Sequence, residues 1–164
     1  RPRGLAMRWV DVTLILCQSY FIVMNVTVER CYCHDPLTAG DTRFLMPETL
    51  DFAKQHNPLF LERPRWMQMA TCISAYVYLP FYCLLLYVAL FDRWASWSAP
   101  ILLFIGCKVN AILFYHTMEF TSHAPPPNLV PYLATELPYA LSIGLVLLQL
   151  RRVAVQAGEK PKAS

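Results

Sequence analysis

Two charged residues lie deep inside apolar sequence. Lys108 stands in WSAPILLFIGCKVNAILFYHTM with Gly106 and Asn110 beside it, and Glu136 stands in LVPYLATELPYALSIGLVLLQL ahead of Pro138. A charge left alone at that depth in a bilayer costs about 2.5–3.5 kcal/mol even on the lenient insertion scale. Lys108 lies about ten residues before the end of its span at Met118 and Glu136 about seven after the start of its own at Leu129, so antiparallel helices joined between them would bring the two to similar depth. The spacing therefore predicts a buried Lys108–Glu136 ion pair, serving either as a structural bridge or as a proton or ligand site. His116 and His123 lie nearer the connection between those spans and belong to the residue type that titrates around neutral pH. No partner for either is identifiable from spacing.

Polar residues form two stripes. Asp11, Gln18 and Asn25 recur every seven residues, and Thr71, Ser74, Tyr78 and Tyr82 recur at three and four. Both spacings keep to one helical face. Lipid rejects such faces, so they turn either toward hydrogen-bonding neighbours or toward a ligand cavity. The candidate lining of that cavity from these stripes is Gln18, Asn25, Ser74 and Tyr78. Two thiols and an imidazole stand together in CYCHD at Cys31–Asp35, but the cluster lacks the second half of a metal site, so no metal is expected. Cys17, Cys72, Cys83 and Cys107 fall in apolar sequence and read as small buried hydrophobes, with Cys31 and Cys33 left to a loop. No disulfide framework is expected. The sequon Asn25-Val26-Thr27 falls at a span end, where glycosylation is not expected. No cofactor motif is present, and no basic run suits nucleic acid.

The elements that hold these residues are four apolar spans at about 9–28, 66–91, 97–118 and 129–150. With 56% hydrophobic residues, only 15% charged and a mean hydropathy of +0.36, the chain reads as one integral membrane domain over 1–164. The fold class is an all-α membrane protein, a four-transmembrane-helix bundle with a short helix in the first long loop. Between Trp66 and Phe91 there is no Asp, Glu, Lys, Arg or His, while Pro80 sits near mid-span and needs neighbours to satisfy the carbonyl it frees. Trp9, Trp66, Trp94 and Trp97 mark span ends, as an interfacial aromatic belt does. The first loop, Glu29–Arg65, contains MPETLDFAKQ, a short helix with Pro47 near its start and Glu48 in its first turn. Its Leu50, Phe52 and Ala53 would dock on the membrane mouth.

Four spans put both termini on one side. Arg1, Arg3, Arg8, Arg93, Arg151, Arg152, Lys160 and Lys162 fall on that side, against Arg30, Arg43, Lys54, Arg63 and Arg65 on the other. The bias directs both termini to the cytosol or the mitochondrial matrix. The leading RPRG suits the end of an organellar presequence, and an ordered polar tail GEKPKAS would point to a partner.

Met24-Asn25, FAKQHNPLFLERPRW at Phe52–Trp66, Leu79-Pro80-Phe81, Ala99-Pro100-Ile101 and Leu137-Pro138-Tyr139 succeed one another in an order that resembles the EXPERA group of membrane proteins. That group includes the sterol isomerase emopamil-binding protein and the sigma-2 receptor, and the similarity is strongest to the sigma-2 receptor branch. The resemblance runs from the first span to Leu150. It implies a bundle around a lipid-facing cavity that takes sterols or amphiphilic amines and relies on acidic residues. The matching positions here are neutral: Asn25, Asn57 and Ser74. Neutral groups suit a sterol hydroxyl, but they neither balance an ammonium nor supply the acid and base of double-bond isomerisation. The function expected first is therefore that of a non-catalytic accessory subunit of a larger membrane complex, in the mitochondrial inner membrane ahead of the endoplasmic reticulum. Other membrane subunits and membrane lipid or sterol would be its partners. The alternatives are a stand-alone sterol or lipid binder and a sterol isomerase.

Overall fold

The computed structural model describes residues 9–158, so the leading RPRG, most of the polar tail, and Arg1, Arg3, Arg8, Lys160 and Lys162 lie outside the described residues. Four long apolar helices, each long enough to cross a bilayer, make up the chain: α1 (Trp9–His34), α4 (Arg65–Phe91), α5 (Trp94–Phe120) and α6 (Leu129–Gly158). Two short helices, α2 (Met46–His56) and α3 (Pro58–Glu62), fill the first long connection. The all-α four-span architecture expected from the hydropathy is the observed one.

Several bounds move outward. The first helix does not end at Val28 but runs on through Glu29 and CYCH to His34, because its far end is tied down. Arg63 donates from Nε and Nη2 to the Tyr32 carbonyl (3.0 and 2.9 Å) and from Nη2 to that of Cys33 (3.0 Å), and Gln68 Nε2 donates to Cys33 O (2.9 Å). A guanidinium on the last carbonyls of a helix satisfies acceptors that have no partner in the ladder and meets the negative end of the dipole. Cys33 and Cys72 then form a disulfide that joins α1 to α4. This corrects the reading of Cys72 as a small buried hydrophobe and of Cys33 as a loop thiol. The error came from treating the two sequence regions separately, when antiparallel packing sets them side by side. Beyond His34 the connection is pinned by Arg43, which bridges Asp41 at 2.6 Å and Asp35 at 3.1 Å. Those hydrogen bonds hold the Asp41 carboxyl below its ordinary range. A depressed carboxylate stabilises the folded loop above its unfolded pKa, and that contribution fades as pH falls through the depressed value.

The bundle is solid in one half and hollow in the other. Val10, Leu14 and Phe21 of α1, Tyr82, Leu85 and Val88 of α4, Trp94, Ile101 and Phe104 of α5, and Leu145 and Val146 of α6 form one core. All lie in the half nearest the termini, since α1 and α5 enter there and α4 and α6 leave there. Gln18 is fully buried in this half and donates to Ser142 Oγ at 2.7 Å, and Gln149 donates to Asp11 Oδ1 at 2.5 Å. Most of the first polar stripe is thus consumed by interhelical hydrogen bonds.

In the other half both α1 and α4 loosen into a single π-helical turn, at Asn25–Glu29 and Ser74–Tyr78, and the two turns face each other. Each adds a residue to one turn and re-aims the side chains beyond it. The turn in α4 stops just before Pro80, which has no N–H to give and whose ring presses on the preceding turn. In α1, Asn25 Nδ2 donates back to Phe21 O at 3.0 Å, occupying a carbonyl where the ladder changes step. A second, smaller cluster of Tyr32, Leu59 and Met67 with Phe60, Trp66 and Tyr115 closes this half toward the loops.

The disulfide generates a prediction. Converting both Cys33 and Cys72 to Ser should lower stability by about 2 kcal/mol, at the low end for a closed loop of this size, because inserted helices already hold their ends close when unfolded. Thermal unfolding in detergent checks this, and an added reductant should reproduce the loss in the wild type but not in the double variant.

Candidate functional site

The hollow half encloses a cavity of about 460 Å³. All four spans contribute to its wall: Tyr20, Met24, Val28 and Glu29 from α1; Ala70, Thr71, Ser74 and Tyr78 from α4; Lys108, Ala111, Ile112 and Tyr115 from α5; and Thr135, Glu136 and Tyr139 from α6. The helix α2 lies over it, contributing Glu48, Thr49, Phe52 and Ala53, and Ala53 is buried. The volume falls within the range of sites that hold a drug-sized ligand, and the wall is mostly apolar with a few converging polar groups.

Of the five residues expected to line a cavity, the structure brings three to it: Asn57, Ser74 and Tyr78. Asn25 and Gln18 do not reach it. Both are fully buried, Asn25 against its own helix and Gln18 against Ser142. The side of α1 that meets the cavity carries Tyr20 and Met24, whereas the face of Gln18 and Asn25 turns into the packed bundle. Asn57 is also an N-cap: its Oδ1 accepts from Phe60 N at 3.1 Å.

Lys108 and Glu136 do share the cavity, but the direct ion pair expected between them is not formed; among the described residues no such contact lies within salt-bridge distance. The Lys108 ammonium sits among three tyrosines, with Nζ 4.6 Å from the ring centre of Tyr139, 5.0 Å from that of Tyr78 and 5.4 Å from that of Tyr82. The electron-rich faces of these rings stabilise a desolvated cation. Its charged neighbours are Glu29 first and Glu136 second. Glu136 instead lies 3.8 Å from His116 Nε2, and His116 Nδ1 lies 2.8 Å from the Tyr132 hydroxyl. His123 pairs on the surface with Glu62 at 2.7 Å.

The residue that sequence reasoning missed is Glu29. Assigned to a loop, it instead sits on a helix one π turn beyond Asn25, with Tyr139 OH 3.5 Å from its Oε1 and Ser74 facing it. Its Oε2 is buried and has no hydrogen-bond partner among the described residues. Glu119 was missed too. It is fully buried, and one of its oxygens takes a short hydrogen bond from Tyr132 while the other is unpartnered. The positions of the expected acids are neutral, yet the cavity holds Glu29, Glu48 and Glu136 against the single cation Lys108.

Comparison of the chain with protein-family models, with curated proteins and with solved structures finds no match.

The order of Lys108's neighbours is testable by double-mutant cycles. Lys108→Met alone should destabilise by about 3 kcal/mol, because it strands buried carboxylates. Combined with Glu29→Gln it should recover more of that loss than combined with Glu136→Gln. Strictly additive effects in both cycles would mean that Lys108 is held by its tyrosines alone.

Proposed function

We propose that this chain is an intramembrane binding protein for a small amphiphile, with an apolar body in the hollow half of the bundle and a cationic head against Glu29. The observation that carries the reading is the unpartnered, buried Oε2 of Glu29 on the wall of a cavity large enough for such a ligand. A buried carboxylate oxygen without a donor is costly, and a ligand ammonium would supply the missing partner. Three carboxylates against one lysine make the cavity suited to a cation. Ser74, Tyr78 and Thr71 are at hand for a hydroxyl, so a sterol with a free hydroxyl is the neutral counterpart. The motif resemblance to the EXPERA group leads to the same two ligand classes, and Glu29 supplies from a shifted position the charge that Asn25 lacks.

This reading displaces the accessory-subunit role that the neutral positions 25, 57 and 74 favoured. A subunit that serves only as packing has no use for an apolar cavity with an open carboxylate oxygen. The reading is of a binder without turnover. Isomerisation is the second reading, favoured by one observation, the His116–Glu136 pair at 3.8 Å beside the cavity, which could serve as acid and base. For location, the disulfide supports a loop face in an oxidising compartment, such as the lumen of the endoplasmic reticulum or the intermembrane space, with both termini on the reducing side. That orientation agrees with the basic-residue bias.

Two probes test the reading in lipid nanodiscs: dodecyltrimethylammonium, which is permanently charged, and cholesterol. The wild type should retain the ammonium, and Glu29→Gln should weaken it by about tenfold or more, the loss of one buried charge-assisted contact. Cholesterol retention should change little in the same variant. Equal retention of the ammonium by wild type and Glu29→Gln would sink the cationic reading, and migration of a double bond in a bound sterol would replace it with isomerisation.

A further inference from the structure

Beside the cavity runs a chain of four side chains that ligand binding alone leaves without a role. Glu119 Oε2 shares a short hydrogen bond with the Tyr132 hydroxyl, that hydroxyl lies 2.8 Å from His116 Nδ1, and His116 Nε2 lies 3.8 Å from Glu136 Oε2. Glu136 lines the cavity, while Glu119, Tyr132 and His116 do not. Glu119 and Tyr132 are sealed from solvent, at 0% and 2% exposure. Sealed in this way, they have few partners to exchange protons with except one another.

A phenol carries one proton and a neutral imidazole carries one, so the hydrogen bonds in such a chain can point only two ways. With Glu119 ionised, Tyr132 donates to Glu119, His116 Nδ1–H donates to Tyr132, and Nε2 offers its lone pair to a protonated Glu136. With Glu119 protonated, every bond reverses. Glu119 donates to Tyr132, Tyr132 donates to Nδ1, and Nε2–H points at an ionised Glu136. Either way the chain holds a single carboxyl proton, at one end or the other.

The geometry points to a one-proton relay in which a cation entering the cavity drives that proton from Glu136 through His116 and Tyr132 to Glu119, so that His116 changes tautomer when the cavity fills. This rests on the amphiphile-binding reading above. The step balances: the Glu136 O–H bond breaks as Nε2–H forms, Nδ1–H breaks as a new Tyr132 O–H forms, and the old Tyr132 O–H breaks as Glu119 O–H forms. No proton leaves the protein and its net charge is unchanged. The His116–Glu136 gap is about 1 Å longer than a hydrogen bond, and rotation of Glu136 on the cavity wall closes it.

The charges around Glu136 are of both signs, and Tyr132 donating to Glu119 places the proton of the empty cavity on Glu136. The charged groups that face Glu136 are Lys108 and Glu119 from α5 and Glu29 from α1, with Glu48 of α2 on the same cavity wall. The tyrosines that see it are Tyr20 of α1, Tyr82 of α4, Tyr115 of α5, and Tyr132 and Tyr139 of α6. A cation held against Glu29 shares the cavity wall with Glu136 but not with Glu119, so it favours the ionised form of Glu136 over that of Glu119.

The tautomer is the readout. Ring-¹⁵N-histidine protein in nanodiscs is compared empty, with dodecanol, and with dodecyltrimethylammonium, which brings no proton of its own. Loss of signal in His116→Gln assigns the resonances. The empty and dodecanol-filled protein should show His116 protonated at Nδ1, and the ammonium-filled protein should show it protonated at Nε2. Glu119→Gln and Tyr132→Phe lie off the cavity wall; each should still retain the ammonium without the interchange. One tautomer in every wild-type state, or an imidazolium once the cation binds, would overturn the relay and leave the binding reading standing. Retention of neither probe by the wild type would overturn the binding reading and the relay with it.

Discussion

The constraint on which the rest of this structure depends is the burial of a lysine in the middle of a membrane bundle. Lys108 cannot reach either interface from its place on α5, so its charge must be met inside. Direct pairing with one carboxylate would be the simplest solution. The protein instead surrounds the ammonium with the faces of Tyr78, Tyr82 and Tyr139 and leaves Glu29 and Glu136 as more distant counter-charges. Aromatic faces stabilise a cation without consuming the carboxylates. Those carboxylates therefore stay available to whatever enters the cavity, which a tight ion pair would have prevented.

Keeping such groups apart requires space, and the two π turns provide it. Asn25–Glu29 and Ser74–Tyr78 lie at the same level on neighbouring helices. Below them the four helices pack into a continuous apolar core, and above them they part. The causes are local: a proline that cannot donate to its own ladder in α4, and an asparagine that bonds back to a carbonyl in α1. Glu29, Ser74 and Tyr78 are aimed at the cavity by the same two distortions. Without them, the stripes that the sequence displays would have continued along straight helices and met lipid or one another.

The loop-side cap gives the hollow half its rigidity. A half-empty bundle loses contacts that a packed one would have, so the helix ends above the cavity must be held by other means. Arg63 on the last carbonyls of α1, the Cys33–Cys72 disulfide, and the cluster around Tyr32, Leu59 and Met67 all act there. The termini-side half needs no such device, because its side chains interlock.

The sequence by itself determined the number of spans, their order, the short helix of the first connection and the presence of buried charge. These come from hydropathy and helical period, which are properties of short windows of chain. Ser74 and Tyr78 reach the cavity wall from the stripe their period marks, and Asn57, singled out by the motif resemblance, reaches it as the cap of a short helix. Glu29, the choice of tyrosines as Lys108's neighbours, the Glu119–Tyr132–His116–Glu136 chain and the disulfide were decided only by tertiary structure. Each depends on how distant segments come together, or on a one-residue change of helical step that no local period records. Gln18 and Asn25 show that limit: they share a face with the right spacing, but helix packing turned that face into the bundle and left the cavity to Tyr20, Met24 and Glu29, a choice made by distant segments that a local period does not record.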